Sequence, residues 1–179
     1  MDEANPPAGR SERLTYEKLR RDHAAELFPL LSDPQVYAHI EGDPPASLDA
    51  LARKYAAIAA GPQRPEIANQ TWRDCCVRRS DTGQAIGVVE ATVIGDTAEI
   101  AYLFGVTSWG YGYAHEAMTW YHAWLAEQSP IASYWATILP TNQRSIRLAQ
   151  RLGYTRVEDE SLWPDLRSYD PGDWVYAKR

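Results

Sequence analysis

The segment that most restricts the fold runs from Thr97 to Glu127. Thr97–Phe104 reads as a strand, and the turn Trp109-Gly-Tyr-Gly-Tyr-Ala delivers it onto a helix spanning Gly112–Glu127. A helix start carries unpaired backbone N–H groups and the positive end of the helix dipole. A strand that ends on one through glycines makes a phosphate-sized anion site. Side chains at Gly110 and Gly112 would keep a pyrophosphate from reaching the backbone. The same spacing also suits a tight strand–helix turn with no ligand. A dinucleotide site needs Gly-x-Gly-x-x-Gly after the first strand of a βαβ unit. Here the third position is His115 and the turn follows a meander, and no Gly-Lys-Ser/Thr of a nucleotide-kinase loop is present.

The surroundings fix the architecture further. Trp72–Arg79 and Ala85–Ile94 read as strands, and Asp81–Gly83 and Gly95–Asp96 as the turns that join them and Thr97–Phe104 into an antiparallel meander. After the helix comes a strand, Ser133–Leu139, then a helix, Thr141–Leu152, closed by Gly153, and two last strands, Tyr154–Val157 and Trp174–Ala177. A helix between two strands of one sheet is a crossover, so one pair is parallel. Upstream, Arg13–Leu19 reads as a first strand. Asp22 caps a helix to Leu31, Gln35–Ile40 makes a helical turn or two, and Ser47 caps a helix to about Ala59. Arg64–Gln70 reads as loop, and Glu158–Asp173 as an ordered loop over one end of the sheet. The expectation is an α/β (α+β) fold with a mixed, mostly antiparallel central sheet of about six to seven strands and about four helices.

Length and composition place this in one domain. The chain of 179 residues is 45% hydrophobic and 23% charged, ordinary globular values that fit one core and not two. Residues 1–11 read as a loose tail and 12–179 as the domain. A net charge of −6 argues against a phosphate-backbone reader and is compatible with a cationic acceptor, though solubility alone explains it as well. Cys75 and Cys76 are adjacent, so on a strand they point to opposite faces and are poorly placed to bridge; one is expected buried and one turned the other way. No Cys/His cluster suggests a metal. No signal peptide or membrane-length apolar run is seen, so the expected setting is the cytoplasm, without membrane or nucleic-acid partners. A homodimer is left open.

Two motifs carry a family resemblance. Glu99-Ile-Ala-Tyr through Trp109-Gly-Tyr-Gly-Tyr-Ala-His-Glu-Ala resembles motif A of the GCN5-related N-acetyltransferases (GNAT), closest to the RimJ/RimL branch that acetylates ribosomal-protein N-termini. Asn142-Gln-Arg-Ser-Ile-Arg-Leu-Ala-Gln-Arg-Leu-Gly-Tyr resembles the family's Asn-x-x-Ser helix ending in Leu-Gly-Phe/Tyr. The resemblance covers about Arg13 to Lys178. It implies a splayed sheet with acetyl-CoA wedged between the strand ending near Val106 and Ser133–Leu139. Phe104 and Val106 would bond the pantetheine through their backbone. Gly110, Tyr111, Gly112, Tyr113 and Ala114 would supply N–H groups to the pyrophosphate. Asn142 would bind the pantetheine side and Ser145 would sit near the sulfur. Three positions depart from the family pattern. Thr107 and Tyr111 stand where positive or polar residues are common, and Ala149 stands where many relatives carry an acidic Tyr.

The chemistry implied is acetyl transfer to a primary amine, either a protein N-terminus or a small molecule. The acceptor must lose a proton, which a carboxylate can take. Side-by-side positioning and oxyanion donors supply more of the rate. Glu99 is the preferred base, though an exposed strand carboxylate pairing across the sheet fits it too. Glu90 follows it, and Glu116 reads as a first-turn carboxylate favoured by the dipole. Ser145 is the preferred sulfur-side donor, with Tyr102 and Tyr134 as other hydroxyls. His115 and His122 read as packing or surface residues. Trp72, Tyr37, Tyr55, Trp163 and Trp174 are candidate walls of an acceptor pocket. A non-catalytic acyl-CoA-binding domain and a domain with an unrelated nucleotide ligand are the alternatives.

Overall fold

The structure is a computed structural model that describes residues 8–40 and 42–179. The first seven residues of the expected tail lie outside them. The strands are β1 (Gly9–Arg10), β2 (Leu14–Lys18), β3 (Gln70–Trp72), β4 (Cys75–Arg79), β5 (Ala85–Ile94), β6 (Thr97–Phe104), β7 (Ser133–Ile138), β8 (Thr155–Arg156) and β9 (Trp174–Lys178). The helices are α1 (His23–Leu31), α2 (Leu48–Ala60), α3 (Tyr113–Gln128) and α4 (Gln143–Arg151). The sheet runs β1-β2-β4-β5-β6-β7-β9-β8, with β3 beside β5. Every pairing is antiparallel except β6 with β7, the pair that α3 joins by a crossover.

The sheet has nine strands, not six or seven. One addition is β1. Gly9 and Arg10, expected in the loose tail, pair with Tyr16 and Thr15. Gly9 permits this because a Cβ there would lie 2.3 Å from the Trp120 ring, which itself stacks on Tyr16 at 3.7 Å. The Glu116 carboxylate fixes the next residues to the start of α3, accepting from the Ser11 hydroxyl, the Arg13 N–H and Arg13 Nε at 2.6 to 2.7 Å. The other addition arises because the expected strand Trp72–Arg79 breaks at Arg73–Asp74 into β3 and β4.

Successive residues of β4, β5 and β6 face two covered layers. Cys75, Val77, Val89, Ile100 and Phe104 pack with Met118, Tyr121 and Leu125 of α3 and Ile146 of α4. Cys76 and Val88 pack with Leu27 of α1 and Leu51 and Tyr55 of α2. Both cysteines are therefore fully buried, because neither face of β4 meets water. Burial pushes the Cys76 thiol up to about 12.

Local rules explain most helix ends. Ser47 and Asn142 cap α2 and α4 through bonds from Ala50 N and Ser145 N, each 3.1 Å. Asp22 does not cap α1 with its side chain. Its carboxylate pairs with Arg20 instead.

Candidate active site

The register opens a cleft in the sheet. β6 and β7 pair over Thr97–Glu99 and Ser133–Trp135 alone. Beyond that point β7 continues along β9, and β6 along β5. The two strands splay, and Ala101 is exposed in the middle of its strand. A cleft of about 290 Å³ opens there on the α3/α4 side, lined by Ile100, Tyr102, Ile138, Asn142, Ser145 and Tyr154 among others.

β6 leads to the glycine turn. A single 3-10 turn, Val106–Ser108, precedes Gly110 and Gly112, at φ +84° and +79°. This left-handed backbone favours glycine at both positions. A Cβ on Gly110 would meet nothing within 4 Å, and one on Gly112 only Arg13 at 3.6 Å. Gly112 caps α3 without a side-chain bond. The space over the turn is open, as an anion cradle requires. Tyr111 is 64% exposed, whereas Tyr113 is buried. The Phe104 and Val106 carbonyls already accept from Trp109, through Nε1 at 2.8 Å and N at 3.1 Å.

Positive charge reaches the turn from elsewhere. Arg13 donates to the Tyr111 carbonyl at 3.0 Å and lies over the Tyr113 ring, which Arg79 also approaches. Arg144 of α4 lies 4.6 Å over the Trp109 ring. Two of these arginines are ion-paired, Arg13 with Glu116 and Arg79 with Asp81. Arg13 and Arg79 lie far from the turn in sequence, so only the sheet order reveals them.

In the cleft the Tyr102 hydroxyl donates to Ser145 Oγ at 2.9 Å. Burial raises the Tyr102 phenol. Asn142 uses its carbonyl oxygen as the α4 cap. Ala149, as expected, carries no hydroxyl, but Tyr154 from the following turn lines the same cleft and bonds His122 Nε2 at 2.7 Å. His122 is buried, and that burial lowers its imidazole to about 4. It is neutral, and the Met118 carbonyl at Nδ1 fixes the tautomer with the proton there.

A second cavity of about 360 Å³ lies on the α1/α2 side, bordered by Lys54, Trp72, Asp74, Glu90 and Glu99. It shares Ile100, Ala101 and Ser168 with the first. Glu99 is held by the loop after β8: Oε2 accepts from Arg167 N, and Oε1 from Ser168 N and its hydroxyl. Of the aromatic candidates, Trp72 borders this cavity, whereas Trp163 packs with Trp135 and Val175 and Trp174 stacks under Arg156.

Asp74 is the residue that sequence reasoning missed. Trp72 faces Thr92 and Cys75 faces Val89, so in the break between these pairs Asp74 lies alongside Glu90 and Ala91, its Oδ1 accepting from Ala91 N. Burial first, and then the Glu90 carboxylate, push the Asp74 carboxyl up to about 8, against the Ala91 N–H and Lys54. The available signal was an Asp inside a strand, a depleted position, placed across from a like charge.

The family profile described as the acetyltransferase (GNAT) domain matches residues 13–155, and the chain belongs to that family. Among curated proteins, no sequence match is found. Among solved structures, an acetyltransferase from Agrobacterium tumefaciens is 22% identical with a TM-score of 0.72, over 97% of this chain and 94% of that one. A Salmonella typhimurium acetyl transferase that modifies the N-terminal serine of ribosomal protein L7/L12 is 14% identical with a TM-score of 0.73, over 97% and 98%. A Vibrio cholerae spermidine N-acetyltransferase in complex with CoA and spermine is 16% identical with a TM-score of 0.69, over 93% and 94%. At these identities the likeness concerns the fold. Among the described residues no group of side chains could hold a metal, and no helix is long and apolar enough to cross a membrane.

Proposed function

We propose that the protein transfers an acetyl group from acetyl-CoA to a primary amine by direct attack in a ternary complex. One observation carries this: two cavities, one on each side of the sheet, meet at Ile100–Ala101, where β6 parts from β7. Acetyl-CoA supplies the thioester carbonyl. The N–H groups at Gly110–Ala114 would hold its pyrophosphate. The free edges of β6 and β7, with the Val106 N–H in the turn after β6 and the Asn142 side-chain amide at the start of α4, would hold its pantetheine. Ser145, backed by Tyr102, faces the sulfur side and can pass its proton to the leaving thiolate. On the other side Glu90 and Glu99 border the acceptor cavity, where a carboxylate can take the proton that the ammonium must lose.

The acceptor reading covers a protein or peptide N-terminus, as the RimJ/RimL resemblance suggests, and a small amine. Solved neighbours of both kinds share the fold. The test is thermal stabilisation by acetyl-CoA beside free CoA and NAD, followed by thiol release with an amine present. At a hundredfold excess over Kd, a bound ligand stabilises by about 2.7 kcal/mol. Stabilisation by acetyl-CoA and CoA is expected. Stabilisation by NAD alone refutes the donor assignment.

A further inference from the structure

We propose that Asp74 and Glu90 act as one carboxylate pair that seats the acceptor's ammonium and takes its proton, while Glu99 positions the loop that borders the same cavity. This rests on the transferase reading and deepens it. Glu99 has three donors on its two oxygens, all from Arg167 and Ser168. It is committed to that loop. Asp74, in the break between β3 and β4, lies alongside Glu90 of β5, and both border the cavity that reaches Ile100–Ala101.

A second observation points the same way. Tyr55 is 1% exposed, and its buried hydroxyl has no hydrogen-bond partner among the described residues. It belongs to the same turn of α2 as Lys54 and Ile58, which border the cavity, and Glu90 is the charge that acts on it most. An unpaired hydroxyl beside two carboxylates under a cavity suits a polar cation. The titratable and charged groups close enough to act on the pair are Lys54 and Tyr55 from α2, Tyr37 from the 3-10 turn Pro34–Tyr37, Glu99 from β6, Arg73 beside Asp74, and Tyr121 of α3 from the other face of the sheet. Of the cations, Lys54 is exposed at the mouth, and the Arg73 Nε finds no partner among the described residues.

The step balances. A proton passes from the ammonium nitrogen to a carboxylate oxygen of the pair, and the freed lone pair forms the C–N bond to the thioester carbonyl carbon. The C–S bond breaks, and the thiolate leaves with the Ser145 proton. As the amide forms, its nitrogen gives up its second proton, which restores the Ser145 hydroxyl directly or through Tyr102, and the pair returns the first proton to solvent.

Burial and the nearby Glu90 carboxylate favour the protonated form of Asp74. An arriving ammonium favours both carboxylates ionised, so binding expels that proton. Calorimetry with 1,4-diaminobutane in two buffers of different ionisation enthalpy reads the proton count. Release of about one proton per amine is expected at pH 7. It disappears in Asp74→Asn and persists in Glu99→Gln. In turnover, Asp74→Asn and Glu90→Gln lower kcat/KM about 10²-fold or more, with stabilisation by acetyl-CoA intact. The near-isosteric Glu90→Gln provides the reading if Asp74→Asn does not fold. Amine binding without proton release, or loss confined to Glu99→Gln, overturns the proposal. Proton-linked binding without acetyl transfer or acetyl-CoA stabilisation sinks the transferase reading and leaves the pair standing. Acetyl-CoA stabilisation without amine binding sinks the pair alone.

Discussion

Replacing Gly112 with Ala tests whether the glycine turn holds an anion or merely changes the chain's direction. The perturbation has two parts that a control can separate. Gly112 sits at φ +79°, where an L side chain is strained, and its Cβ would meet only Arg13 at 3.6 Å. The fold cost is therefore backbone strain of about 1–2 kcal/mol. Gly95, in the β5–β6 turn, sits at φ +60° with nothing within 4 Å of a Cβ. Gly95→Ala should carry a similar strain far from the turn. For a domain of this size, 1 kcal/mol moves Tm by about 2–4 °C, so both variants should melt lower by about that much or twice it. They should diverge once acetyl-CoA is added. Wild type and Gly95→Ala should gain about 2.7 kcal/mol at a hundredfold excess over Kd. If the added methyl weakens binding tenfold, Gly112→Ala gains about 1.4 kcal/mol less at the same ligand concentration. Differential scanning fluorimetry across an acetyl-CoA series, with calorimetric affinities beside it, resolves this difference. Equal ligand shifts in the two variants would refute the assignment of the pyrophosphate to this helix start.

Further expectations concern pH, the loop and the cleft hydroxyls. Burial depresses the His122 imidazole to about 4 from its ordinary 6.5, so its contribution to stability is full above pH 6.5 and is lost as pH falls towards 4. The loss is about 3 kcal/mol at most, and urea denaturation at pH 7 and pH 4.5 should show it shrinking in His122→Gln. The depressed carboxyls of Glu17, Glu26 and Glu116 act in the same direction, their contribution being lost at still lower pH. Glu99→Ala should free the Arg167 and Ser168 amides, so hydrogen exchange there should accelerate while β5 stays protected; unchanged exchange would contradict the anchoring role. Tyr102→Phe removes the donor to Ser145, costing about 1 kcal/mol of stability and slowing transfer more than it weakens acetyl-CoA binding; an unchanged kcat would remove these hydroxyls from the mechanism.

The elements legible in the sequence were those with a strong period or clear punctuation. β5 and β6 were read to their ends, Ala85–Ile94 and Thr97–Phe104, because Gly95–Asp96 marks the turn between them. Ser47 announced α2. What escaped was set by tertiary contact. β1 has two residues, too few for any period, and exists because Gly9 lies against Trp120. The break at Arg73–Asp74 is invisible in an otherwise strand-like run; the Tyr121 hydroxyl and Ala91 N–H hold the backbone and side chain there. Asn142 and Ser145, three residues apart at the start of α4, reach the cleft together. Asp74 and the arginines around the turn come together only through sheet order.

The placement of the two cavities on opposite faces of one sheet has a kinetic consequence. If donor and acceptor each enter by their own side, neither lies in the other's path. Nothing in this arrangement obliges one to bind first or one product to wait for the other. Initial-rate plots should then give intersecting lines, with each product competing only against the substrate that shares its entrance.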